Sequence, residues 1–265
     1  GRLFVVDSDK KEAENIHPEF KGQFHSIEWT DDKTIRFLAS EGCQSSVGTI
    51  GCNGKKMSRL IGTDGPVINS MSWSKNETAA MVASSASHPR ELFIYTSEGE
   101  MKKVTDHNPW IKDLKLARQE VIKYKAADGL EIEGILIYPL DYQQGKKYPI
   151  IHYVHGGPES HVDNAWITAY SQPGQVAATK GMAVFYPNYR GSTGRGFDYI
   201  MTSQADAAGK EFDDIIDGSK HLIEMGLVDP EKVGVTGGSY GGYATGWMAT
   251  RHSDHFAAGV MFVGI

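Results

Sequence analysis

One serine stands in a setting that suits nucleophilic chemistry. Residues 237–241 read Gly-Gly-Ser-Tyr-Gly, so Ser239 occupies the centre of a G-x-S-x-G pattern. The residues before it fit a short buried strand and residues 240–251 fit a helix, so the chain must turn sharply at the serine. Glycine suits positions 237 and 241, where a Cβ would clash, and the serine hydroxyl would stand exposed above the sheet. We predict that Ser239 is a nucleophile that forms an acyl-enzyme.

The surroundings of this serine decide how far the pattern can be interpreted. G-x-S-x-G arises easily by chance in a chain with 30 glycines, and the alternative is a glycine-rich turn whose serine caps a helix. A strand before it and a helix after it are the setting of a nucleophile elbow and favour catalysis. The positive end of that helix and the N–H of Tyr240 would then favour negative charge on an attacked carbonyl oxygen.

A second loop can supply hydrogen-bond donors to the same oxygen. The apolar run at 148–154 fits a strand, and His-Gly-Gly-Pro follows it at 155–158. Two glycines let the main chain approach closely, whereas Pro158 has no N–H to donate. A plain Gly-Pro turn is the alternative for this loop.

A reactive serine also needs a base and a carboxylate that orients the base. In a fold with this elbow they follow the serine as Asp and then His. His252, Asp254 and His255 do follow it, but twelve residues of helix would place them roughly 18 Å away, beyond hydrogen-bond reach. We therefore expect the Asp and the His beyond Ile265, and we expect residues 1–265 alone to be inactive.

No metal and no cofactor are expected. His152 and His155 are three residues apart on a strand, so their side chains point to opposite faces and cannot share a metal ion. His155 lies near the serine in this arrangement but precedes it along the chain, so we do not take it as the base.

The composition is that of a globular protein and excludes several function classes. Hydrophobic residues make up 40% of the 265 residues, and the net charge is −6 with the charges interspersed. These values argue against disorder and against nucleic-acid binding. No apolar run reaches the roughly 18 residues of a membrane span. The oligomeric state is left open.

Two cysteines bear on the cellular compartment. In a hairpin that turns near Ser45, Cys43 would lie opposite Val47 and Cys52 opposite Leu38. The thiols would then not pair, and free thiols favour a reducing compartment such as the cytoplasm.

The first part of the chain, residues 1–115, contains a repeat. Segment 27–40 is echoed by segment 71–84, with Trp29 and Trp73 at equivalent positions. Each copy fits about four short strands joined by polar turns, which predicts blades of a β-propeller; a small antiparallel sheet with chance similarity is the alternative. Since propellers need roughly four to eight blades, we expect this chain to be a piece of a longer protein that holds the last blades.

From residue 116 onward the pattern alternates between strands and helices. This alternation predicts a mostly parallel sheet covered on both faces, which is an incomplete α/β-hydrolase domain over residues 116–265. The expected strands are 121–124 and 131–138, joined as a hairpin by an Asp-Gly turn, and then 148–154, 182–186, 233–236 and 257–263. The expected helices are a broken helix at 164–180, a helix from 212 that ends before 226, and the helix at 240–251.

Together these features resemble the prolyl oligopeptidase family of serine peptidases, nearest to its acylaminoacyl-peptidase and bacterial dipeptidyl-peptidase-like branches. The matching stretches are His-Gly-Gly-Pro at 155–158, Asn-Tyr-Arg-Gly-Ser at 188–192 and Val-Thr-Gly-Gly-Ser-Tyr-Gly-Gly-Tyr at 235–243. The resemblance implies a propeller ahead of the hydrolase domain and Ser239 as nucleophile. It also implies that Tyr240 gives its N–H to the oxyanion and forms part of the pocket for the residue before the cut.

One position departs from the family pattern. Several members carry a tyrosine where this chain has His155 and use the tyrosine hydroxyl in the oxyanion hole. We therefore expect the N–H of Gly156 to be the second oxyanion donor beside that of Tyr240, and we expect His155 to contact the substrate.

Three functions are compatible with the sequence. The leading prediction is a serine peptidase that cleaves short peptides. An esterase or acylamine hydrolase with the same serine is the second, and a non-catalytic binding protein that retains the fold is the third. The blade repeat favours the first over the second, because simple esterases lack a propeller, and the intact elbow argues against the third.

Overall fold

The computed structural model describes residues 1–264, which form two compact units. The first unit contains residues 1–112 together with residues 193–198, and the second contains residues 113–192 and those from 199 onward. Within the described range, no helix combines the length and the apolar character needed to cross a bilayer.

The first unit contains two four-stranded antiparallel sheets built to the same plan. In each of them the strands pair with their neighbours in chain order. Trp29 lies opposite Ile35 in one sheet and Trp73 opposite Ala79 in the other, so the predicted repeat of about four strands is confirmed. A separate pair, β1 and β2, precedes both sheets. The strands are β1 (Phe4–Val6), β2 (Ala13–Asn15), β3 (Gln23–Asp31), β4 (Thr34–Glu41), β5 (Gln44–Gly51), β6 (Ser58–Ile61), β7 (Val67–Trp73), β8 (Ala79–Ser85), β9 (His88–Tyr95) and β10 (Met101–Lys103).

A buried arginine joins the two four-stranded sheets. Arg36 on β4 is 5% exposed, and its guanidinium lies 3.8 Å from the ring centre of Trp73 on β7. It pairs with Glu28 of its own sheet and with Glu77 of the other. Apolar side chains of both sheets pack beside it, so charge pairing and burial together fix one sheet against the next. The buried apolar cluster is Leu38, Val47, Ile68, Ala79, Met81, Ala83, Phe93 and Tyr95.

The predicted register of the β4–β5 hairpin is wrong, although the prediction of free thiols is confirmed. The chain turns after Glu41, which lies opposite Gln44, rather than near Ser45. The tight turn forms there because Gly42 readily takes the positive φ of 63° that it requires. Cys43 therefore lies in the turn, and neither Cys43 nor Cys52 forms a disulfide.

The second unit is built on a six-stranded mixed sheet. Its strands are β11 (Gln119–Lys125), β12 (Glu131–Ile137), β13 (Tyr148–Val154), β14 (Ala183–Asn188), β15 (Val228–Ser239) and β16 (Ala258–Gly264), in the order β11-β12-β14-β13-β15-β16. The predicted β11–β12 hairpin is present. Strands β14, β13, β15 and β16 run parallel, whereas β12 is antiparallel to both of its neighbours. The parallel half contains the strand that ends at Ser239.

The predicted helices are present except in one region, and the short helix at Phe197–Ile200 was not predicted. Helix α3 is two residues longer than expected at its start, and α4 is as expected. Residues 164–173 are not helical and contain one bridge, Ala169 to Gln172. Their β-branched, aromatic and Asn residues are weak helix formers, and Pro173 permits a helix to begin but not to continue through it. The helices are α1 (Gly174–Thr179), α2 (Phe197–Ile200), α3 (Lys210–Glu224) and α4 (Tyr240–Arg251), with 3₁₀ turns at Pro109–Asp113 and Met201–Ser203.

The largest core of the second unit lies between its sheet, α3 and α4. The buried positions of α3 are spaced three and four residues apart, as the sequence predicts, so one face of the helix packs on the sheet. This core supports the carboxyl end of β15 from beneath. Its members include Tyr124, Ile132, Tyr148, Ile150, Phe185, Phe212, Ile215, Leu222, Val233, Val235, Ala244 and Met248.

Candidate active site

Ser239 is the last residue of β15, and α4 begins at the next residue. Its backbone has φ 56° and ψ −123°, a region that residues with a Cβ rarely adopt. The serine is exposed, and its side chain makes no capping hydrogen bond to α4. A helix-capping serine normally has β-region backbone angles and bonds an N–H of the first turn. The geometry is therefore that of an elbow and not that of a cap.

Two glycines make this tight reversal possible. A Cβ on Gly241 would collide with the carbonyl oxygen of Val154, and one on Gly237 would collide with the same oxygen and with Gly241 itself. Gly237 lies in β15 opposite Val154 of β13, and Gly241 lies in the first turn of α4. The predicted steric need for glycine at 237 and 241 is thus confirmed, and it comes from the neighbouring strand.

The loop after β13 lies directly beside Ser239. A Cβ built on Gly156 would be 3.2 Å from the Ser239 Cβ, 3.8 Å from its Oγ and 2.9 Å from the Gly238 carbonyl oxygen. The two loops meet because parallel neighbouring strands end at the same edge of the sheet. Only a residue without a side chain fits at 156, so the main chain of this loop borders the serine.

His155 is turned into the protein. The residue is only 5% exposed, and its ring stacks on the ring of Tyr189 with 4.3 Å between the ring centres. Nδ1 lies 2.9 Å from the Gly156 carbonyl oxygen and Nε2 lies 2.9 Å from Oγ of Ser192. Burial lowers the pKa of His155 to about 4, so the ring is neutral near pH 7. A neutral ring that donates from Nδ1 to Gly156 accepts at Nε2 from Ser192.

These contacts give His155 a role in holding the 155–158 loop. The hydroxyl of Tyr189 adds a further tie, because it donates to the His155 carbonyl oxygen over 2.9 Å. Both ring nitrogens face protein groups in this structure. Contact between His155 and the substrate stays a prediction.

An ion-pair network missed by the sequence analysis anchors the loop at 188–192. Arg190 is 4% exposed and makes two hydrogen bonds from its guanidinium to the fully buried Asp214 of α3, of 2.9 and 2.7 Å. It makes two more to Asp128 in the β11–β12 turn, of 2.8 and 3.1 Å. This pairing keeps the pKa of Asp128 well below its usual range. The network fixes the loop that carries Tyr189 and Ser192, and hence His155.

The side chain of Tyr240 reaches the start of α3. The residue is 8% exposed, and its hydroxyl donates to Oε1 of Glu211 over 2.7 Å. Burial, together with the Glu211 carboxylate, raises the pKa of Tyr240 above its usual range, so the phenol stays protonated. Glu211 was not identified from the sequence, because the predicted helix begins at 212 and no local pattern sets this glutamate apart from an exposed one.

The other histidines considered from the sequence lie elsewhere. His252 and His255 follow the far end of α4, which ends at Arg251. His152 is fully buried between Phe185 and Phe256. Among residues 1–264, no cluster of three or more His, Cys, Asp or Glu side chains could hold a metal ion.

A strand that runs through an exposed, strained serine into a helix, beside a glycine loop from the adjacent parallel strand, defines the elbow of the α/β-hydrolase class. Residues 168–265 match the model of the prolyl oligopeptidase family. The chain belongs to this family.

Relatives and solved structures agree with this assignment. The chain is 33% identical over 196 residues to the uncharacterized peptidase YuxL of Bacillus subtilis, covering 73% of this chain and 29% of that protein. It is 28% identical over 267 residues to dipeptidyl-peptidase 5 of Porphyromonas gingivalis, covering 100% of this chain and 38% of the relative. An acylaminoacyl peptidase of Pyrococcus horikoshii superposes with a TM-score of 0.81 at 27% identity, over 100% of this chain and 40% of that one. The chain thus spans well under half the length of the relatives it matches.

Proposed function

We propose that the protein containing this chain is a serine peptidase whose nucleophile is Ser239. The observation that carries the proposal is the exposed, strained Ser239 at the junction of β15 and α4, with Gly156 beside it. Relatives that are named as peptidases support a peptide substrate. The four-stranded sheets of the first unit support a propeller ahead of an α/β-hydrolase domain.

The proposed reaction proceeds through an acyl-enzyme. Oγ of Ser239 attacks the peptide carbonyl carbon, and its proton passes to a histidine base. The oxyanion accepts hydrogen bonds from the N–H groups of Tyr240 and Gly156. The amine then leaves with the proton, and water hydrolyses the resulting serine ester. Since His155 is engaged by Ser192 and Gly156, we propose that the base and its Asp come from sequence beyond Ile265.

Two other functions use the same fold and are separated from this one by experiment. An esterase or acylamine hydrolase would share the Ser239 acyl-enzyme but favour esters or acylated amines over peptides. A binding protein that retains the fold would not react at Ser239 at all.

Labelling of the full-length protein with a fluorophosphonate probe tests the nucleophile. Ser239→Ala should abolish labelling and lower peptide turnover on the order of 10⁶-fold. Ser253→Ala, which removes an exposed serine beyond the far end of α4, should change neither. Labelling that persists in Ser239→Ala would refute the proposal, and equal labelling with hydrolysis of esters alone would favour the esterase.

A further inference from the structure

Glu211 is a buried carboxylate with three hydrogen-bond donors. It is fully buried in the first turn of α3. Its carboxylate accepts from the N–H of Ala208 over 2.5 Å, the N–H of Gly209 over 3.1 Å and the hydroxyl of Tyr240 over 2.7 Å. No Lys, Arg or His among the described residues forms an ion pair with it. Its charge is therefore stabilised by dipoles alone, from these donors and from the positive end of α3.

A helix cap explains two of these donors but not the third. The N–H groups of Ala208 and Gly209 belong to the turn that leads into α3, and an acidic side chain there is a common solution for the free N–H groups of a helix start. The hydroxyl of Tyr240 comes from another helix, 29 residues further along the chain. That bond joins the start of α3 to the start of α4.

Tyr240, which this hydrogen bond joins to α3, directly follows Ser239 in the chain. Tyr240 is the first residue of α4, so a fixed side chain also fixes the direction of its N–H. Its ring is held between Phe212 at 5.7 Å and Tyr243 at 5.6 Å, measured between ring centres. Packing restricts the ring, and the hydrogen bond to Glu211 restricts its far end.

Glu211 also acts electrostatically on Tyr189, the residue that holds the 155–158 loop. The pKa of Tyr189 is raised well above its usual range by burial first, and then by the nearby Tyr240 and Glu211. The hydroxyl of Tyr189 donates to the carbonyl of His155, next to Gly156. Of the two proposed oxyanion donors, Tyr240 is therefore joined to Glu211 directly by a hydrogen bond, whereas Gly156 is next to the residue that Tyr189 holds.

We propose that Glu211 is a positioning residue for the oxyanion hole: by accepting the hydrogen bond of Tyr240, it holds the Tyr240 N–H in place beside Ser239. This inference rests on the proposed function of Ser239. Glu211 touches neither the substrate nor the reacting atoms. Its effect is carried through the side chain of Tyr240, and a donor that is held in place before reaction stabilises an oxyanion without reorganisation.

The proposal predicts a change in the kcat of Glu211→Gln that is opposite in direction to the change expected from charge alone. A negative charge near the oxyanion disfavours it, so on charge alone Glu211→Gln should raise kcat. Positioning predicts the opposite. A glutamine has one acceptor oxygen where the carboxylate has two, so at least one of the three donors loses its partner. The oxygen that remains is neutral and accepts the Tyr240 hydrogen bond less strongly than a carboxylate does, so the Tyr240 anchor weakens.

The test uses the full-length protein in five variants: Glu211→Gln, Tyr240→Phe, the double variant, Asp213→Asn and Ser239→Ala. Asp213 is the matched control, because it is an exposed carboxylate in the same first turn of α3. We expect Glu211→Gln and Tyr240→Phe each to lower kcat by about 10- to 100-fold with little change in KM. Asp213→Asn should leave kcat unchanged.

The double variant separates positioning from a merely structural role. If Glu211 acts through Tyr240, the double variant should have no lower kcat than the worse single variant. The melting temperature should still fall when Glu211→Gln is added to Tyr240→Phe, because in either background one of the two carboxylate oxygens that accept from Ala208 and Gly209 is replaced by an amide N–H₂ group. A structural role alone would lower stability while leaving the kcat of the folded fraction, counted by active-site titration, unchanged.

These variants distinguish failure of the Glu211 role from failure of the function proposed for Ser239. Full activity of Ser239→Ala would overturn the proposed function and with it the role of Glu211. An inactive Ser239→Ala, combined with Glu211→Gln that matches Asp213→Asn or that raises kcat, would overturn only the role of Glu211. Multiplying losses in the double variant would also overturn it. Should Glu211→Gln fail to fold, a kcat of Tyr240→Phe equal to that of the unsubstituted protein overturns the proposal, and a 10- to 100-fold fall supports it.

Discussion

Ser239 carries a backbone conformation that costs free energy. Positive φ at a residue with a Cβ is worth about 1–3 kcal/mol of strain, and nothing in the serine side chain repays it by capping α4. The surrounding structure must therefore impose it, through the pairing of β15 with β13 and the start of α4 at Tyr240. Strain that is imposed in this way is a reason to assign a function to the residue.

His152 should make the folded protein sensitive to acid. Its ring is fully buried, and burial lowers its pKa to about 3, whereas an unfolded histidine titrates near 6.5. The unfolded state therefore binds more protons between these pH values, so the stability present above pH 6.5 falls as the pH drops through 6.5 toward 3. The expected loss from His152 is about 1.4 kcal/mol per pH unit in that range.

Urea unfolding at several pH values between 4 and 7 measures this effect in the full-length protein. His152→Leu should reduce the pH dependence of the unfolding free energy, although it also changes packing at every pH. Ser253→Ala, which changes an exposed residue without a titratable side chain, should leave the slope as it is. An unchanged slope in His152→Leu would show that the buried ring is not the source. His155, whose pKa is lowered to about 4, remains in both variants and acts in the same direction.

At the scale of elements, the elbow depends on close approach between β13, β15 and α4. Gly241→Ala would place a methyl group against the Val154 carbonyl, so the strand and helix must separate. We expect a loss of about 1–3 kcal/mol or more in unfolding free energy, with loss of fluorophosphonate labelling at Ser239. Gly246→Ala is the matched control on the same helix, because its Cβ would meet only the Met261 sulfur at 3.4 Å.

Chemical denaturation and labelling of the two variants decide the point. Gly246→Ala should fold as well as the unsubstituted protein or better, since alanine favours a helix interior over glycine by about 1 kcal/mol. If Gly241→Ala instead proved as stable and as reactive as Gly246→Ala, the close packing at the elbow would not be needed for function.

The elements predicted well are those with a local cause. The elbow, the α3 face and the β11–β12 hairpin each follow from residues adjacent in sequence, through glycine spacing, helical periodicity and an Asp-Gly turn. The β4–β5 register depended on which of several small residues would form the turn, and Gly42 was overlooked.

The contacts that position the site were not predictable in the same way. Tyr240 and Glu211 are 29 residues apart, and Arg190 and Asp214 are 24 apart. Nothing local distinguishes these charged residues from solvent-exposed ones. Only the packing of α3 against the sheet buries Glu211 and Asp214 and supplies their partners.

At the scale of the whole molecule, two different architectures share one chain. Residues 1–112 form repeated four-stranded antiparallel sheets, while the second unit combines a mixed sheet with helices. The chain also passes into the first unit for residues 193–198 and returns. The function proposed for Ser239 uses residues of the second unit alone, so the first unit requires a separate explanation.

We propose that a propeller limits the size of substrates that reach Ser239. The resemblance to the prolyl oligopeptidase family implies a rigid ring ahead of the hydrolase domain. By that resemblance the ring narrows access to the serine, so a flexible peptide can enter and a folded protein cannot. The full-length protein should therefore cleave peptides of up to a few tens of residues and leave folded proteins intact.

A labelled peptide series of increasing length and native serum albumin test this limit on the full-length protein. Turnover per susceptible bond should fall as length increases and should be very low for native albumin. Reduced and alkylated albumin is the control that separates folding from length: it should also be cleaved slowly, because it is flexible but long. If it were cleaved as fast as the short peptides, folding of the substrate and not its size would set the limit. Equal rates for native albumin and short peptides would contradict restricted access altogether.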